Sequence, residues 1–127
     1  MQPRILLVDH DQGFAYLLRR YAEQCGFGCD LALSFEAARA LIAPRRPALV
    51  LVNRQLASSE AAGALAALQA ELAAYDIPLA SVAQEAGNPA PALAADYEFT
   101  LPLLFDDFRH ALAALGIQPH ETDEPKS

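Results

Sequence analysis

The stretch "PALVLVNRQLA", residues 47–57, carries the reading on which the fold turns. From Ala48 to Val52 it is apolar without interruption, and it stops at a polar residue, Asn53. A strand with one wet face alternates apolar and polar residues. A continuous apolar run of this length belongs to a strand covered on both faces, as in the middle of a parallel sheet. Asn53 then sits at the carboxyl end of that strand, where an open α/β sheet carries its functional groups. Its amide donates and accepts hydrogen bonds but offers no carboxylate nucleophile.

On either side of this run, short apolar stretches alternate with helical patterns. "RILLVD" (4–9) is a second continuous apolar run ended by an acid. Asp11 is placed to cap a helix from Gln12 to Cys25, in which Phe14, Leu17, Leu18, Tyr21 and Ala22 recur at helical spacing and which Gly26 stops. "GCDLA" (28–32) reads as a shorter strand. Ser34 caps a helix that Pro44 ends. After residues 48–53, Ser58 or Ser59 caps an alanine-rich helix to about Tyr75. "IPLASVA" (77–83) is the fourth strand, residues 87–96 hold a short helix with Pro89 at its first position, and "YEFTL" (97–101) is the fifth strand. "LFDDFRHALAAL" (104–115) closes the domain as an amphipathic helix ended by Gly116, with Phe105, Phe108, Leu112 and Leu115 as its core stripe. Five strand–helix units predict an α/β fold, a flavodoxin-like doubly wound parallel sheet, over residues 1–116. Residues 117–127 read as a disordered tail or the start of a linker.

With 127 residues and 54% hydrophobic content, the chain forms one domain with a sizeable core. A formal charge of −7 argues against a phosphate-contacting nucleic-acid surface and against an anionic membrane surface. No segment reaches the roughly 20 apolar residues that span a bilayer, and a cytoplasmic location is expected. Cys25 and Cys29 fit no common zinc spacing and read as two reduced thiols, one at a helix end and one facing inward from a strand. No catalytic triad, glycine-rich phosphate loop or pair of catalytic acids stands out, so no enzyme is expected.

Four stretches, "ILLVDHD", "PALVLVN", "IPLASVA" and "LPLLFDDFRHAL", together resemble the receiver domain of two-component response regulators, over about residues 4 to 115. The resemblance implies phosphoryl transfer to an aspartate after the third strand. It also implies Mg²⁺ held by two acids after the first strand, a Thr or Ser after the fourth and a Lys after the fifth. Position by position, Asp9 matches the first acid. His10 stands at the second, a soft nitrogen donor poorly suited to Mg²⁺. Asn53 stands at the phosphoacceptor, Ala83 at the hydroxyl and Leu101 at the cation, while Pro102 keeps the family's proline. The resemblance thus implies a degenerate, phosphorylation-independent receiver with no metal or cofactor.

Each departure also has a plainer reading. His10 is a loop histidine before it is a metal ligand or pH sensor. Asn53 either mimics a fixed state, by removing repulsion with Asp9, or records drift after phosphorylation was lost. Leu101 and Ala83 either close the pocket or open it to a small apolar ligand, so a small-ligand sensor is the alternative function. The resemblance further implies a protein partner or homodimer docked on the face of the fourth helix, fifth strand and last helix, with Tyr97, Phe99, Arg109 and His110 as its candidates. It also implies an output domain wherever the natural chain continues past Ser127.

Overall fold

The computed structural model describes residues 3–9, 11–53, 62–83, 95–100 and 103–117. Strands β1 (Arg4–Val8), β2 (Gly28–Ala32), β3 (Leu49–Asn53), β4 (Leu79–Ala83) and β5 (Tyr97–Thr100) form one sheet in the order β2-β1-β3-β4-β5. Every neighbouring pair is parallel. Four helices are described: α1 (Gln12–Gln24), α2 (Phe35–Arg45), α3 (Ala62–Ala74) and α4 (Phe105–Ala114). This is the doubly wound arrangement expected from the strand–helix alternation.

The continuous apolar runs are explained by burial on both faces. Ile5, Leu7, Leu49 and Leu51 pack on one side with Leu18, Phe27 and Phe108. Their neighbours Leu6, Val8, Val50 and Val52 pack on the other with Phe35, Ile42, Leu68 and Leu72. Burying each such side chain contributes about 1.5–3 kcal/mol, so these two layers dominate the favourable side of folding. The aromatic stripe of α4 behaves as expected: Phe108 and Leu112 are buried, Phe105 and Leu115 half-buried.

Three helices end in the same device. In α1, Gly26 N donates to Glu23 O and Phe27 N to Ala22 O. After α3, Asp76 and Ile77 donate to Ala73 O and Leu72 O. After α4, Gly116 and Ile117 donate to Ala113 O and Leu112 O. This is the Schellman pattern, which needs a left-handed residue at the turn. Gly26, Asp76 and Gly116 supply it, with φ of 89°, 59° and 74°. Each turn folds an apolar residue, Phe27, Ile77 or Ile117, back onto the core. Ile117, assigned to the tail from sequence, therefore belongs to the packed domain.

Two other boundaries differ from expectation. Helix α2 runs through Pro44 to Arg45. Pro44 loses its own N–H bond and crowds the carbonyl four residues back, a disturbance confined to the last turn, and the helix stops at Arg46, which is left-handed at φ 47° and donates its N–H to Ile42 O. The short helix expected at 87–96 falls mostly outside the described residues. Its end is not helical: Asp96 N donates to Leu79 O, and its Oδ2 accepts from Leu79 N at 3.0 Å, fixing the entry of β4.

From β1 the chain winds outward to β2, then returns to the other side of β1 for β3. The strand order reverses between β1 and β3, so the crevice lies beyond their carboxyl ends.

Candidate functional site

Val8 of β1 stands level with Val52 of β3, which sets Asp9 beside Asn53 at the switch point. Asp9 is 1% exposed. Its backbone N–H is held by Ala32 O of β2, so the chain leaves the sheet only after this residue. Its two carboxylate oxygens have separate donors. Asp11 N donates to Oδ1 at 3.1 Å, and Asn53 Nδ2 donates to Oδ2 at 3.1 Å. A carboxylate only accepts, so the asparagine must turn its NH₂ toward it.

Asp11 works as a cap. Its Oδ1 accepts from Gly13 N at 2.9 Å and Phe14 N at 3.2 Å, satisfying two N–H groups that open α1. The carboxylate is thereby turned to the helix start.

These contacts bear on the magnesium ion that the sequence resemblance raises. Mg²⁺ takes near-octahedral oxygen donors. Of the described residues at this end, Asp9 has both oxygens engaged by N–H groups, Asp11 faces its helix and Asn53 presents nitrogen to Asp9. As arranged, this set does not fit the ion. Among the described residues no group of three or more His, Cys, Asp or Glu is placed to hold a metal.

Ala83 closes β4 opposite Thr100 of β5. His10, Leu101 and Pro102 lie outside the described residues. Tyr21, read from sequence only as a helix-face residue, braces the neighbouring loop: its hydroxyl donates to Leu103 O at 3.0 Å, and its ring meets Phe105 edge-on at 5.4 Å. Its position one helical turn from Leu17 and Leu18 signalled the core, and nothing in the sequence signalled the loop contact.

The expected partner face is only partly assembled. Phe99 is 3% exposed and stacks near Phe108, so it is core and not contact surface. Inward residues of an edge strand are covered by the helix above, which here is α4. Arg109 lies one turn from Phe105, on the flank of α4 that meets α1, and its charge acts on Cys25. Tyr97 is half-buried against Phe99 at 5.0 Å, and Arg109 and His110 are both exposed on α4.

Two features stand away from the switch point. An open cavity of about 760 Å³, lined by Leu72, Asp76, Ile77, Pro78 and Asp96 among others, sits at the amino end of β4, opposite Asn53. Across β1 and β2, Arg4 holds Asp30 with two hydrogen bonds, Nε–Oδ2 at 2.6 Å and Nη2–Oδ1 at 3.0 Å. The hydrogen bond to Asp30 raises the guanidinium pKa, against the opposing effect of burial. Both cysteines are free. Burial, reinforced by the Asp30 charge, pushes the Cys29 thiol up to about 11, and burial raises Cys25 as well.

No family model matches the chain, and no curated protein matches it by sequence. Solved structures do. The chain is similar to a CheY-like response regulator receiver domain protein from Methanospirillum hungatei JF-1, with a TM-score of 0.73 at 18% identity over 91% of this chain and 94% of that one. It is also similar to a response regulator receiver protein from Burkholderia phymatum, with a TM-score of 0.71 at 21% identity over 93% and 98%. A sensor protein from Polaromonas sp. JS666 matches with a TM-score of 0.72 at 24% identity over 88% and 94%. At these identities the likeness is one of fold: the chain has the CheY-like, flavodoxin-like fold of receiver domains. Among the described residues no helix is long and apolar enough to cross a membrane.

Proposed function

We propose that this chain is a receiver-fold signalling module that acts by contact, without aspartyl phosphorylation and without catalysis of its own. The observation that carries the reading is the hydrogen bond from Asn53 Nδ2 to Asp9 Oδ2. In phosphoryl transfer the protein supplies position and charge neutralisation. Here the residue at the end of β3 has no nucleophilic oxygen, and its amide donates to the buried Asp9 carboxylate. The sequence adds Ala83 and Leu101 where a hydroxyl and a cation would serve. A neutral donor against Asp9 holds the crevice in one arrangement without any added group. The output is then a docked protein, with Tyr97, Arg109 and His110 as contact residues, in the cytoplasm.

A small-ligand sensor is less well supported, because the 760 Å³ cavity among the described residues opens at the opposite end of the sheet. Incubation with acetyl phosphate and Mg²⁺, read by intact mass, tests the main reading. The expected spectrum is unchanged. A stable gain of one phosphoryl group per chain would overturn it.

A further inference from the structure

We propose that the open edge of β2 joins two copies of this chain, antiparallel, into one continuous sheet with its two-fold axis at Leu31. The inference is independent of whether the chain is phosphorylated.

Strand β2 ends the sheet, with β1 on one side only. Gly28 N donates to Pro3 O, and Ala32 O accepts from Asp9 N, so the even-numbered residues of β2 turn their backbone groups toward β1. In a parallel strand the odd-numbered residues then turn theirs outward, so Cys29 and Leu31 present N–H and C=O at the open edge. Such an edge is a template for strand pairing unless it is blunted by charge, proline or a bulge. This one carries a single charge, Asp30, which Arg4 neutralises. Four large hydrophobic residues are exposed among the described ones: Tyr16 at 60%, Leu31 at 37%, Leu33 at 54% and Leu104 at 57%. Tyr16 of α1 and Leu31 line the same groove here, and Leu33 follows two residues further along the chain.

The occupant is set by symmetry and charge. An antiparallel strand paired with its own copy makes a closed two-fold contact from one patch. Centring the pair on Asp30 would set two carboxylates face to face, which is unfavourable. Centring it on Leu31 places Asp30 opposite Ala32, Leu31 opposite its mate, and Cys29 opposite Leu33. The flanking helices favour the same register. Arg19 lines the groove beside Cys29, two residues or about 6.6 Å before the axis. The two-fold carries the second copy's Arg19 as far beyond the axis. Leu31 is level with Leu7, so that height is where this copy's chain leaves β1 and reaches the exposed Asp11. A chain of net charge −7 thus turns Arg19, which in its own copy lies 3.8 Å from Glu23, toward the other copy's Asp11.

Sedimentation or light-scattering mass from about 1 µM to about 500 µM, the window in which an interface of less than standard size dissociates, is expected to show a monomer–dimer equilibrium. Leu31→Arg sets two cations on the axis and should weaken it by at least about 100-fold. Leu33→Lys, beyond the strand and exposed, should weaken it in the same direction and guards against a misfolded Leu31→Arg. Leu104→Arg should leave it intact. A strict monomer at the highest concentration overturns the proposal, as does a dimer that survives both edge variants or is lost only in Leu104→Arg.

Discussion

Asn53→Asp removes the Nδ2–H that faces Asp9 Oδ2 across 3.1 Å and sets a second carboxylate oxygen in its place. At an effective dielectric of about 20, two unit charges at that separation repel by about 5 kcal/mol. The pair escapes by sharing a proton, which caps the cost. Keeping one carboxyl protonated at pH 7 requires lifting its pKa by about 3 units from about 3.9, or about 4 kcal/mol. Rotation of the half-buried residue 53 away from Asp9 relieves part of this, so the expected loss of unfolding free energy is about 2–4 kcal/mol at pH 7. A carboxyl whose pKa is raised on folding contributes stability below its unfolded value and loses it as pH rises. The same substitution should therefore cost no more than about 1.5 kcal/mol at pH 5. Millimolar Mg²⁺ should restore stability to the variant at pH 7 and leave the parent chain unchanged, since only the variant offers the ion two carboxylates. Urea unfolding at both pH values, with and without the metal, reads all three effects. A variant as stable as the parent at pH 7 without Mg²⁺ would show that Asn53 is not a donor to Asp9, and the reasoning would fail.

Asp11→Ala strips the acceptor from Gly13 N and Phe14 N and should lower stability by about 1 kcal/mol in urea. Asp30→Ala leaves the partly buried Arg4 guanidinium unpaired and should cost about 1–2 kcal/mol. A Cβ at Gly28 would lie 2.6 Å from Arg4 Nη1 and push the same guanidinium off Asp30. Gly28→Ala and Asp30→Ala should therefore overlap, and a double mutant whose cost is the full sum would refute the shared cause. The melting temperature should fall between about pH 9 and pH 11, because the unfolded chain ionises Cys29 while the fold holds the thiol neutral until about 11. Cys29→Ala should flatten that part of the curve, and an identical curve for both proteins would count against the assignment.

The strands were legible because a parallel sheet buries both faces. "ILLV" and "LVLV" carry no alternation to misread, and the helical runs between them could pack only on either side. Helix ends were legible where glycine marked them, at Gly26 and Gly116. The end was not legible at Arg46, where an ordinary residue adopts the left-handed turn because the packing of the following segment compensates its strain; the end at about Tyr75 was read correctly, but not the left-handed turn at Asp76 that makes it. Phe99 was misread for a related reason: alternation shows that a residue in a short edge strand has a face, and only the position of α4 shows which face is covered.

Residue identity alone determined which chemical groups stand at the strand ends, since an amide at position 53 lacks a nucleophilic oxygen whatever surrounds it. The tertiary structure decided what those groups do to one another. Asn53 and Asp9 are 44 residues apart in the chain, and only the crossover from β2 back past β1 brings them within hydrogen-bond distance. It also decided which strand is left at the edge: the crossovers set β2 beside β1, with no other described strand on its far side.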